Sequence, residues 1–139
     1  MFISDALLKL SQDRKYKTYG DQQRIDTNRE KYPEIAVWVD IIRKHFATGL
    51  IDGITTNPSL IMKSGRHPED VYQELKDMGI NDISMEVMGD SSNMIVEGRR
   101  LASKFGKCAT IKVPCTYDGL IACRQLAKDV IPVNVTLIF

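Results

Sequence analysis

From Tyr32 onward, short runs of β-branched residues alternate with amphipathic segments, and this alternation leaves few architectures open. The runs are IAVWVD (35–40), DGITTN (52–57), DISMEV (82–87), CATIKV (108–113) and PVNVTLIF (132–139), each rich in Ile, Val or Thr as strands are. Between them lie IIRKHFATG (41–49), HPEDVYQELKDMG (67–79), SSNMIVEGRRLASKFG (91–106) and YDGLIACRQLAKDV (117–130). Their apolar residues recur at three-and-four spacing, which predicts helices. Ser91 or Ser92 and the run His67-Pro68-Glu69-Asp70 read as helix starts, since Pro and acidic residues suit a first turn. Strand alternating with helix means βα units on a parallel sheet with right-handed crossovers. Residues 1–34 differ in texture: one short helical patch (Ile3, Leu7, Leu8, Leu10) precedes a charged stretch without a period, so they read as a polar arm.

The totals narrow the function classes. A chain of 139 residues suits one domain, and 43% hydrophobic with 27% charged residues is ordinary for a soluble globular protein. A net charge of +1 offers no basic excess for a phosphate backbone, so nucleic acid is not an expected partner. No run has the eighteen or so apolar residues that a spanning helix needs, so no membrane is expected either. Cys108, Cys115 and Cys123 are odd in number and lack CxxC spacing, which fits reduced thiols in the cytoplasm. His45 and His67 have no second ligand at metal spacing and read as surface residues. Cys115 has no histidine nearby in sequence to activate it as a nucleophile.

Side chains alternate along a strand, so parity assigns each residue to one of two faces. Ile83, Met85 and Val87 oppose Ser84 and Glu86; Ala109, Ile111 and Val113 oppose Thr110 and Lys112; Val133, Val135 and Leu137 oppose Asn134 and Thr136. In the first run Val37 and Val39 oppose Trp38 and Asp40, and in the second Ile54 opposes Thr55 and Asn57. Each strand then has an aliphatic face for helices and a second face with a polar residue near its C-terminal end, where ligands bind in α/β folds. A doubly wound sheet would bury Asp40, Asn57, Glu86, Lys112 and Asn134 under helices; a barrel places them inside its mouth. The barrel is the expected fold.

Each of these residues also has a plainer reading. Lys112 fits a structural ion pair with Glu86, Asp40 fits a helix cap, and Asn57-Pro58 fits a turn. Taken together they suit one chemistry. An amine desolvated inside a barrel is partly neutral near pH 7 and attacks a ketone to form a Schiff base. The iminium is an electron sink for breaking the adjacent carbon–carbon bond, provided a carboxylate moves protons. Glu86 and Asp40 supply carboxylates, and Asn57, Asn134 and Thr136 offer uncharged hydrogen bonds to sugar hydroxyls. The residues themselves lead to a Schiff-base aldolase or transferase and no further.

DGITTNPSLI (52–61), SMEV (84–87), TIKVPCTYDGL (110–120) and NVTLIF (134–139) resemble, in order, the strand motifs of transaldolases, and VWVDIIRKHF (37–46) resembles their first-strand segment. The resemblance covers residues 35–139. It implies a (β/α)8 TIM-type barrel, of which about the first five βα units are present, that moves a dihydroxyacetone unit from a ketose phosphate to an aldose phosphate in pentose phosphate metabolism. The donor would be fructose 6-phosphate or sedoheptulose 7-phosphate. Lys112 then matches the Schiff-base lysine, Asp40 the acid/base aspartate, and Glu86 the glutamate that works through a catalytic water. Thr55, Asn57, Asn134 and Thr136 match substrate-lining positions, and no metal or organic cofactor is implied. Glutamate rather than glutamine at position 86 favours transaldolase over the related fructose 6-phosphate aldolases, which remain the alternative.

Such barrels usually need roughly 200 to 250 residues. A chain ending at Phe139 is therefore expected to be part of a longer enzyme. The alternative is a non-catalytic remnant or assembly module that completes its sheet by self-association or with another chain. The serine and arginine that bind substrate phosphate in the family have no counterpart before Phe139.

Overall fold

The computed structural model describes residues 41–136. The expected arm over 1–34, the expected strand 35–40 with Asp40, and the last residues of the run 132–139 lie outside the described residues. A helical segment over 41–46, α1, is followed by strand β1 (Ile54–Thr55), helices α2 (Pro58–Lys63) and α3 (Pro68–Asp77), and strand β2 (Ile83–Glu86). Helix α4 (Ser91–Phe105), strand β3 (Ala109–Pro114), helix α5 (Tyr117–Lys128) and strand β4 (Val133–Thr136) complete the order.

The strands pair in the order β1-β2-β3-β4, every pair parallel. A sheet that advances one strand at a time without reversing, through crossovers of one hand, keeps its helices on one face. The other face stays free of them, as in the wall of a barrel. Burial follows the expected parity on the helix side: Ile54, Ile83, Met85, Ile111 and Val113 are completely covered. Between them and the helices lie Leu75, Met94, Leu101, Phe105, Ala122 and Leu126.

Local chemistry explains the helix limits. In α3, Pro68 occupies the first turn with Glu69 and Asp70, Lys76 sits in the last turn, and Val71, Tyr72 and Leu75 form the buried stripe. Helix α4 is capped by the Asp90 carboxylate, which accepts from the Asn93 N–H at 2.8 Å, so the cap lies one residue before the expected serines. Its neighbour helps: the Ser91 N–H donates to Asp118 Oδ1 on α5 at 3.1 Å. Helix α5 is capped by Thr116, whose hydroxyl accepts from the Gly119 N–H at 3.1 Å. Glycine is required at 119, because a Cβ there would lie 1.9 Å from the Pro114 carbonyl oxygen.

Two expectations need correction. Helix α2 is additional to the elements expected from periodicity; six residues are too few to display a helical period, and Asn57-Pro58 fits a turn equally well. The second strand is shorter than 52–57: pairing is limited to Ile54–Thr55 with a bridge at Gly53, and Asn57 leaves the strand to cap α2. Both follow from Pro58, which cannot donate to a ladder and is preorganised for a helix's first position.

Candidate active site

Register builds the site. Glu86 on β2 is opposite Lys112 on β3, and Lys112 is opposite Asn134 on β4, so three side chains form one row across the helix-free face near the strands' C-terminal ends. Thr55 lies opposite Ser84 and Ser84 opposite Thr110 in the row one pleat deeper, while Thr136 lies opposite Pro114 one pleat further out. The structure thus brings Lys112, Glu86 and Asn134 together and places Thr55 and Thr136 on the same wall. Asn57 sits at the α2 N-terminus, half-buried, with Oδ1 accepting from the Leu60 N–H at 3.1 Å.

Lys112 is 9% exposed, yet it is not isolated. Its Nζ donates to Glu86 Oε2 at 3.3 Å and to the Thr56 carbonyl oxygen at 3.4 Å. The plainer ion-pair reading of Lys112 therefore holds as geometry, and it does not compete with the chemical one, since a Schiff-base lysine also needs a carboxylate beside it. At this distance the carboxylate can accept a proton from, or return one to, a group bonded to Nζ. Asn134 Nδ2 donates to Ser84 Oγ at 3.3 Å, which ties the β4 end of the row back to β2. Beneath the row, Thr110 Oγ1 donates to Asp82 Oδ1 at 2.7 Å.

Two contributors were not singled out from sequence. Ser84 has the right parity and could have been found by it. Thr56 contributes a backbone carbonyl, for which no side-chain pattern gives a signal. Cys115 is exposed beside the site, and His45 and His67 are exposed on the surface. Among the described residues no group of three or more His, Cys, Asp or Glu side chains could hold a metal ion, and no helix is long and apolar enough to cross a membrane.

The family model for transaldolase/fructose-6-phosphate aldolase matches residues 36–139. The chain belongs to the transaldolase/fructose-6-phosphate aldolase family. Its parallel sheet with helices on one face is accordingly a segment of a TIM barrel. A probable transaldolase of Nitrosopumilus maritimus (strain SCM1) is 46% identical over 102 residues, covering 73% of this chain and 46% of that protein. Probable transaldolases of Hyphomonas neptunium and Anaeromyxobacter sp. (strain K) are 51% and 50% identical, over 67% and 70% of this chain and 43% and 45% of theirs. The chain spans less than half the length of these relatives.

Proposed function

We propose that the protein carrying this chain is a transaldolase, transferring a dihydroxyacetone unit from a ketose phosphate to an aldose phosphate through a Schiff base on Lys112. The single observation that carries this reading is the Lys112–Glu86 pair, 3.3 Å apart with side chains 11% and 12% exposed, on adjacent strands of the helix-free face. Neutral Nζ attacks the ketone carbon, a proton passes from nitrogen to the former carbonyl oxygen, and that oxygen leaves as water with a second proton taken up from solvent and relayed through Glu86. The resulting iminium accepts the electron pair of the carbon–carbon bond beside it as a carboxylate, Asp40 in this reading, takes the proton of the departing aldehyde's hydroxyl. The enamine then attacks the acceptor aldehyde and the steps run in reverse. Thr55, Asn57, Asn134 and Thr136 hold the sugar hydroxyls. We place the reaction in cytoplasmic pentose phosphate interconversion, a setting supported by free thiols at Cys108, Cys115 and Cys123.

The test is borohydride trapping with fructose 6-phosphate and peptide mapping. An adduct on Lys112 that is absent from Lys112→Met is the expected result; a folded chain that yields none refutes the reading for this chain. Product analysis separates transferase from aldolase, because a transferase releases little free dihydroxyacetone without an acceptor aldose phosphate.

A further inference from the structure

We infer that Thr56 is a positioning residue for the Lys112 amine, an inference that rests on the Schiff-base reading above. Thr56 follows β1 with helix-side parity and is 2% exposed. Its N–H and its Oγ1 both donate to one acceptor, the Ser84 carbonyl oxygen, at 3.1 and 2.6 Å. The phenol of Tyr72 lies beside the Thr56 hydroxyl. Tyr72 is itself 2% exposed and held edge-on against the Phe105 ring at 5.7 Å between centroids. The two bonds to the Ser84 carbonyl clamp the Thr56 residue from behind the sheet. Its carbonyl consequently reaches through to the site side, 3.4 Å from Lys112 Nζ.

The chemistry of that contact is directional. A neutral amine has two N–H bonds and one lone pair, and Lys112 has two neighbours that, with Glu86 ionised, can only accept: Glu86 Oε2 and Thr56 O. With both N–H bonds committed, the lone pair points away from β1 and β2, toward the open side of the row where a ketone would approach. When the amine becomes an iminium, nitrogen gives up one proton to the departing oxygen and keeps one N–H, so one of the two acceptors still holds it. Thr56 thus acts through Lys112 and touches no reacting carbon.

The experiment compares Thr56→Val, Thr56→Ser and the double variant Thr56→Val/Tyr72→Phe with the unaltered 139-residue chain, fold being checked by circular dichroism. The double variant removes both hydroxyls, which can be nearly neutral for stability, and so separates positioning from misfolding. At saturating fructose 6-phosphate the rate of borohydride-trappable adduct formation is expected to fall roughly tenfold in both Val variants, with the half-saturating concentration unchanged. Thr56→Ser, which keeps the clamp, should restore the rate to within about twofold. Acetic anhydride labelling reads the same orientation without any sugar: acetylation of Lys112 relative to exposed Lys107 should drop about threefold in the Val variants. A folded Val variant with unaltered labelling, or a Ser variant as slow as Val, overturns the positioning role. If the unaltered chain forms no adduct but the labelling still falls in the Val variants, the Schiff-base reading fails and the positioning of the amine stands.

Discussion

Removing the charges of the Lys112–Glu86 pair one at a time and then together gives a double-mutant cycle whose size follows from the geometry. At 3.3 Å and an effective dielectric of about 20, the attraction is about 5 kcal/mol. Both side chains are nearly nine-tenths covered, so desolvation offsets much of that, and the coupling that survives should be about 1–3 kcal/mol. Lys112→Met leaves Glu86 buried with no ammonium; Glu86→Gln leaves Nζ with the Thr56 carbonyl and an amide. Each single change should lower stability by about 2 kcal/mol or more, whereas Lys112→Met/Glu86→Gln should cost less than either, because no uncompensated charge remains. Urea unfolding at pH 7, analysed with a common slope, measures all four corners. Strict additivity, with coupling below about 0.3 kcal/mol, would refute the claim that these two groups meet as charges in a shielded site.

Four other outcomes follow from single positions. Gly119→Ala should cost about 3 kcal/mol or more in urea unfolding, since the new methyl would overlap the Pro114 carbonyl oxygen from 1.9 Å and the turn into α5 must open. Arg100, with Lys104 beside it, holds the Glu69 carboxyl down to about 2, so its contribution is complete above the usual carboxylate range and fades as pH falls toward 2. Solvent screening limits that contribution to about 1 kcal/mol; Glu69→Gln should lose it at pH 7 and lose nothing near pH 2, as thermal melts at the two pH values will tell. Burial pushes the Tyr72 phenol up to about 12, so the stability it confers is complete below the ordinary tyrosine range and disappears as pH rises toward 12; ultraviolet titration should show a late phenolate step that Tyr72→Phe abolishes. Asn57→Asp keeps the α2 cap and loses the amide donor, while Asn57→Ala loses both; only the second should cost about 1 kcal/mol in stability, and both should raise the fructose 6-phosphate concentration needed for trapping.

The parts of this fold that were legible in the sequence are those where a period of two or of three-and-four runs for enough residues to be counted. Helices α3, α4 and α5 carry such stripes, as Met94, Gly98, Leu101 and Phe105 do in α4. Parity alone assigned Glu86, Lys112 and Asn134 to one face, and register then set them side by side. The reach of parity ends at Thr55 in the second run, where pairing covers only Ile54–Thr55 and Asn57 lies past the ladder as the cap of α2. Thr56 was hidden for a different reason: its side chain has helix-side parity and its contribution to the site is a main-chain oxygen.

An ion pair on a sheet is not there for lack of an alternative. Met85, Ile111 and Val113 flank it in sequence and are wholly covered, so the same strands readily accept aliphatic side chains. Hydrophobic replacement of a shielded pair is often neutral or stabilising. On the proposed reading, a row that nonetheless sets a carboxylate, an amine and an amide in register, at the strand ends of a barrel wall, gives up stability for a chemical capability. The double-mutant cycle and the trapping experiment bear on this jointly. A Lys112→Met/Glu86→Gln variant that is at least as stable as the unaltered chain and forms no adduct would show that the pair is kept for its reactivity. A variant that loses stability in proportion to both changes would return Lys112 and Glu86 to a structural role, and the polar face would then need another reason to exist.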